Sequence, residues 1–408
     1  MKLVHTLAVC LQLWAIISTV HGGNVMLVGG GLTDENAAVW SRFVELAGGE
    51  GVARVGVITT ASKTPEDDYP YYQDMFMAYG AASVEWIPIT QSSNNANDAE
   101  VADLVASQTG LFFDGGDRLR ILAGWVNADG SDTASLSSLR GVLSAGGIVG
   151  GTSAGAGCQG TGPMIAYGLS YNAVDSGAHE GGCETANRDD LCYIEDGGLG
   201  LVRGYVVDTH FSQRGREARL IELLLDTKTS DPSTQLGIGI DEDTGVLIAE
   251  DGTAEILGSA GGAMVVSVAA AVKDPAAPHT RTAGVRVSYF TEGDVFNLYD
   301  DSVVYPSWKT PIADNELYVD ATSSNNIFSS PNNPTAEDGV FRDVAHRLWD
   351  SKADSATSYS YETGPTFSVT MKKEGGTAVV GDSPTLSTRV VSYLNMEVDI
   401  DYTILEEH

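Results

Sequence analysis

A serine hydroxyl becomes a useful nucleophile when a base can reach it and small neighbours leave its approach open. The run Gly150-Gly151-Thr152-Ser153-Ala154-Gly155-Ala156-Gly157 meets the second condition. A short buried strand at 147–149 leads into it. Gly151-x-Ser153-x-Gly155 has the spacing of a strand-to-helix turn that lifts a serine out in strained backbone geometry. The N–H of Ala154 would then face a developing oxyanion, helped by the dipole of the following helix. No lysine follows the glycines, which argues against a phosphate-binding loop.

Three other segments carry groups that such a serine needs. Val206-Val207-Asp208-Thr209-His210 ends a strand on an acid and a histidine, and His210 is placed to serve as general base. Arg214, Arg216 and Arg219 crowd the next few positions. Guanidinium forks bind carboxylates bidentately, so these arginines either hold an acidic substrate group or pair with Asp208 and Glu217. Gly239-Ile240-Asp241-Glu242-Asp243 is another strand ending in acids, one of which can orient the imidazole. Leu111-Phe112-Phe113-Asp114-Gly115-Gly116-Asp117-Arg118 runs a buried strand into two glycines whose N–H groups can complete an oxyanion hole.

All four segments sit at strand ends, so the elements between them matter. Short apolar runs recur through the first 250 or so residues, separated by amphipathic or Ala-rich stretches such as 35–47 and 98–107. That alternation predicts an α/β sandwich with a mostly parallel central sheet, whose sites gather at the carboxyl ends of the strands. A helix after His210 carries Leu220, Leu223 and Leu224 inward. Beyond about residue 265 the pattern turns to alternating strands. The runs 285–290 and 295–298 around Gly293 read as a hairpin, and 323–334 reads as a Ser/Asn/Pro-rich loop. A C-terminal β-rich appendage is expected. The predicted division is 1–22 leader, 23–300 hydrolytic domain and 301–408 extension.

The chain has 408 residues and a net charge of −32, which disfavours nucleic acid and anionic lipid as partners. The scattered acids describe a solvated acidic surface, compatible with calcium or mineral contact; a homodimer is left open. Lys2 and His5 precede an apolar stretch over 7–20, and small residues around Gly22 follow, as in a secretory signal. Secretion to the extracellular space is therefore expected, with no membrane span. Outside the cell, Cys183 and Cys192 can close a short loop, leaving Cys158 as a buried thiol. Zinc-type spacing is absent, and no metal or cofactor is expected.

Taken in order, the four motifs resemble the cyanophycinase branch of serine peptidases related to aspartyl dipeptidase, over about residues 24–271, including Gly29-Gly30. The resemblance rests on Gly-Thr-Ser-Ala-Gly-Ala from Gly151 and on Asp208-x-His210-Phe211 with its three arginines. It implies a three-layer sandwich of the class I glutamine-amidotransferase type. It also implies Ser153 as nucleophile, His210 as base, Glu242 as third member, and Gly116 and Ala154 as oxyanion donors. Asp208, Arg118, Arg214, Arg216 and Arg219 would shape the substrate pocket. The implied substrates are α-aspartyl peptides or cyanophycin, an aspartate polymer carrying β-linked arginine. No cofactor is implied. The chain departs from the family pattern at Arg118 and Thr209, where glutamines are usual, and in a longer 160–200 segment. The competing expectation is a non-catalytic acidic matrix or mineral-binding protein reusing the fold.

Overall fold

The computed structural model describes residues 22–230, 234–258, 260–300, 302–335 and 337–404. The expected leader lies, except for Gly22, outside the described residues. Two large sheets organise the molecule. In the first, Ser83–Trp86, Arg54–Ile58, Gly110–Phe113, Ile148–Thr152 and Asn24–Val28 run parallel to one another. On the other side of Asn24–Val28 the sheet continues antiparallel through Gly245–Ile248, Thr253–Leu257, Val295–Asn297 and Val303–Val304.

The second sheet starts at Tyr205–Thr209, which pairs in parallel with Leu236–Ile240. It proceeds antiparallel through Gly262–Ser267 and Thr282–Thr291 to the long strand Arg389–Thr403. The fold is thus mixed α/β, but within these two sheets parallel pairing is confined to five strands of the first and to the pair Tyr205–Thr209 and Leu236–Ile240 in the second. The strands carrying His210 and Glu242 belong to a different sheet from the strand carrying Ser153.

Alternation along each strand explains why both sheets are covered on two faces. Met26 and Val28 join the cluster under the helices Ala37–Leu46 and Pro65–Ala78, while Val25 and Leu27 join the cluster shared by the two sheets. Val207, Ile238 and Ile240 enter that shared cluster from the second sheet. Val206, Met264 and Val287 face the other way, onto the helices Glu217–Thr227 and Val340–Trp349.

The hairpin expected around Gly293 does not form. Thr282–Thr291 stays in the second sheet, whereas Val295–Asn297 pairs with Thr253–Leu257 in the first. The turn is a corner pinned from inside. Buried Asp294 accepts from the Thr291 N–H at 2.9 Å and from Lys309 Nζ at 2.5 Å. Both charges are fully buried, so the pair holds only because each is partnered.

Beyond Val303–Val304, which closes the edge of the first sheet, the chain builds into the second. Arg389–Thr403 pairs with Thr282–Thr291, Thr366–Lys372 and Thr377–Asp382. The helix Val340–Trp349 was not foreseen, although Val340, Phe341, Val344, Ala345, Leu348 and Trp349 have helical spacing and are all buried. Among the described residues no helix is long and apolar enough to cross a membrane.

Candidate active site

The site lies where the two sheets adjoin. Ser153 follows Ile148–Thr152, His210 follows Tyr205–Thr209, and Glu242 lies between Leu236–Ile240 and Gly245–Ile248. Three successive carbonyls tie these loops together. Val28 accepts from the Ser153 N–H at 3.0 Å, Gly29 from the His210 N–H at 2.7 Å, and Gly30 from the Asp243 N–H at 2.8 Å. One short turn thereby fixes the relative positions of all three loops.

Within that frame the side chains form a continuous path. Ser153 Oγ lies 2.7 Å from His210 Nε2, and His210 Nδ1 lies 2.5 Å from Glu242 Oε1. Ser153 has φ 54° and ψ −115°, and His210 also has positive φ. Non-glycine residues pay about 1–3 kcal/mol for such conformations and keep them only where surroundings enforce them. Here the enforcing contacts are the backbone bonds just named.

Burial pushes the His210 imidazole down to about 4; the Glu242 hydrogen bond works against this, and the Arg214 and Arg216 charges reinforce it. The imidazole is therefore neutral at neutral pH and can accept a proton from Ser153. Of the two neighbouring acids, it is Glu242 that stands against the imidazole. Asp241 is fully buried and turned away, accepting from the Ser212 N–H at 3.0 Å and from Tyr289 Oη at 2.5 Å. Glu242 faces the imidazole, and its own N–H is held by Gln213 Oε1 at 3.0 Å.

Gly116 and Ala154 both line the cavity around Ser153. Gly116 has φ 145°, and a Cβ there would fall 2.3 Å from the Ala61 carbonyl, so only glycine fits. Arg118, Arg214, Arg216 and Arg219 line the same cavity.

Asp208 is not at the cavity surface. It is fully buried as the hub beneath it. Arg219 grips it with Nε at 2.8 Å and Nη2 at 2.7 Å, and Arg118 Nη2 reaches it at 3.0 Å. Arg216 stands 3.6 Å away and donates to the Thr209 carbonyl at 2.6 Å. Burial alone would push the Asp208 carboxyl up, but Arg219, Arg216 and Arg118 outweigh it and hold it well below the usual carboxylate range. Arg118, Arg216 and Arg219 therefore pair with Asp208, whereas Arg214 is exposed and lies 4.0 Å from Glu242 Oε1. Glu217 takes no part: it is buried with neither carboxyl oxygen hydrogen-bonded to another described residue.

Arg118 and Thr209, the two departures from the family pattern, touch each other, with Arg118 Nη2 donating to Thr209 Oγ1 at 3.1 Å. Arg118 also lies flat beneath Gly157, where a Cβ would come within 2.4 Å of its Cζ. The sequence reading missed Gln213, Gly157, Tyr167 and Arg188. Gln213 had a legible signal, since it lies one helical turn past His210.

Cys183 and Cys192 form the expected disulfide. Cys158 is buried, and burial pushes its thiol up to about 12, so it is inert at neutral pH.

The model of peptidase family S51 matches residues 25–256. The cyanophycinase of Synechococcus elongatus is 35% identical over 242 residues, covering 58% of this chain and 66% of that protein. The cyanophycinase of Geminocystis herdmanii is 31% identical over 285 residues, covering 67% of this chain and 93% of that one. Among solved structures, a peptidase from an acI-B1 Actinobacterium is similar at 19% identity and a TM-score of 0.47, covering 68% of this chain and 98% of that chain. The family match spans the turn at Gly29, the serine elbow, His210 and Glu242, and on that ground the chain belongs to peptidase family S51, a family of serine-type peptidases.

Proposed function

We propose that this protein is a secreted serine-type peptidase or isopeptidase that hydrolyses aspartyl bonds, with Ser153 as nucleophile, His210 as general base and Glu242 as orienting acid. The observation that carries the reading is the unbroken path from Ser153 Oγ through His210 to Glu242 at 2.7 and 2.5 Å. His210 takes the Ser153 proton as Oγ attacks the carbonyl carbon. The tetrahedral oxyanion is held by the N–H groups of Gly116 and Ala154. His210 then returns the proton to the leaving nitrogen, and an acyl-enzyme remains. Water, deprotonated by His210, releases the acid and restores Ser153. Glu242 keeps the imidazole in the tautomer that presents Nε2 to the serine.

The aspartyl preference is supported by the arginine-rich cavity and by likeness to cyanophycinases, whose activity is attributed to this chain only as part of the proposal. The proposal also covers a class I glutamine-amidotransferase-like layering, a hydrolytic domain at 23–300, an extension at 301–408, and export by a leader over residues 1–22.

The deciding experiment is labelling with a fluorophosphonate followed by mapping of the adduct, together with turnover of aspartyl dipeptides and β-Asp-Arg polymer. Label on Ser153 and loss of both label and turnover in Ser153→Ala support the reading. Unchanged turnover in Ser153→Ala sinks it. The net charge of −32 favours one second reading, an acidic mineral-binding protein. That reading gains if wild type and Ser153→Ala both adsorb to calcium mineral and neither hydrolyses.

A further inference from the structure

The lining of the Ser153 cavity carries five guanidiniums and one carboxylate, Asp117. In a chain of net charge −32 this is a local reversal of sign. Four of those arginines follow or flank the motifs already described. The fifth, Arg188, comes from elsewhere; like Arg214, and unlike Arg118, Arg216 and Arg219, it is exposed.

Arg188 sits in the loop between Cys183 and Cys192 that the disulfide closes. The loop is anchored on both sides. His179–Glu180 pairs with Cys192–Ile194, which pairs in turn with Met164–Tyr167. The Leu169 N–H donates to the Asp189 carbonyl at 2.8 Å, next to Arg188 itself. The guanidinium lies over the Tyr167 ring, 4.2 Å from its centroid. Its side chain is nonetheless 69% exposed.

The nearest acid does not use up its donors. Asp117 Oδ2 lies 3.5 Å from Arg188 Nη2, beyond good hydrogen-bond distance, and already accepts from Tyr167 Oη at 2.8 Å. Arg118 and Arg219, by contrast, spend their donors on Asp208 and on the Ile165 and Gly168 carbonyls. Arg188 is thus a stacked, pre-oriented cation at the cavity mouth whose guanidinium makes no close hydrogen bond to another described residue. A planar fork of that kind fits a carboxylate.

We infer that Arg188 is a substrate-binding residue that takes a carboxylate of the peptide, and that the Cys183–Cys192 disulfide holds it over the cavity for that purpose. This rests on the peptidase reading above and adds to it a specificity element outside the serine, histidine and acid loops.

The test compares an aspartyl dipeptide bearing a free C-terminal carboxylate with its C-terminal amide. Arg188→Gln should raise KM for the carboxylate peptide about tenfold, the scale of one charge-assisted hydrogen bond, with kcat little changed and little effect on the amide. Arg188→Lys should fall between. Cys183→Ser/Cys192→Ser, or reduction of the native protein, should reproduce the KM effect. Equal effects on the two peptides, or no change in KM, would overturn the assignment. The same pair of peptides, titrated onto Ser153→Ala protein, gives a binding readout that does not need turnover. Loss of the carboxylate preference there on Arg188→Gln supports the inference even if hydrolysis fails, and an unaltered preference overturns it.

Discussion

The His210 ring packs against the Cα of Gly30 so closely that a Cβ on Gly30 would lie 2.2 Å from His210 Cε1. Gly30 also has φ 101°, which a side chain rarely tolerates. Gly30→Ala should therefore displace the imidazole from Ser153. A misplacement near 1 Å costs on the order of 10²-fold in rate, so kcat should fall at least that far. Steady-state kinetics and the rate of fluorophosphonate labelling should drop together.

The two neighbouring acids should respond in opposite ways. Glu242 is partly exposed and touches His210, so Glu242→Gln should lower kcat by about 10²- to 10⁴-fold with little change in Tm. Asp241 is a fully buried anchor bonded to Ser212, Tyr289 and Gly262, with Arg342 3.5 Å away. Asp241→Asn should instead destabilise the protein, by roughly 3 kcal/mol, because Arg342 loses its buried partner. Thermal unfolding beside kinetics separates the two outcomes.

The pH profile should report the buried imidazole. A base must be neutral to act, so activity is lost as pH falls through its value in the free enzyme. With His210 held down to about 4, kcat/KM should stay level from neutral pH down to about 5 and fall below that. An unperturbed histidine would put the fall near 6.5. Removing a nearby positive charge with Arg214→Gln should move the acid limb upward.

Asp114 offers a stability test. It is buried, neither oxygen has a hydrogen-bond partner among the described residues, and burial reinforced by the Asp68 charge pushes its carboxyl up to about 8. The folded state keeps this proton over a range where the unfolded chain has released it. Stability should therefore fall as pH rises from about 4 to about 8 and level off above. Asp114→Asn should remove that slope, raising Tm at pH 8 relative to wild type more than at pH 4. Equal shifts in Tm at both values would refute the protonated carboxyl.

Much of the site could be read from residue types because its requirements are local. An elbow needs glycines two residues on either side of Ser153, and a base at a strand end needs no more than the strand and the histidine. The partition into two sheets was not legible. The apolar runs at 205–207 and 238–240 look like any buried strand, and only long-range pairing assigns them to a second sheet. The corner at Asp294 was misread for a related reason. Gly293 signals a turn, but whether the chain returns to its own sheet is decided by Lys309 and Ser392, far along the sequence. Asp208 was read as a pocket residue because nothing in Val-Val-Asp-Thr-His says which way the carboxylate points.

Because Val28, Gly29 and Gly30 each hold one of the three reactive loops by a main-chain carbonyl, a tripeptide acts as the ruler of the reaction centre. Distances among hydroxyl, imidazole and carboxylate are then independent of which side chains decorate the cavity. An exchange such as glutamine for Arg118, or a lengthened loop bringing in Arg188, can redirect recognition without re-gauging the catalytic spacing. The same arrangement concentrates risk: a single break or insertion between residues 28 and 30 would unfasten all three loops at once.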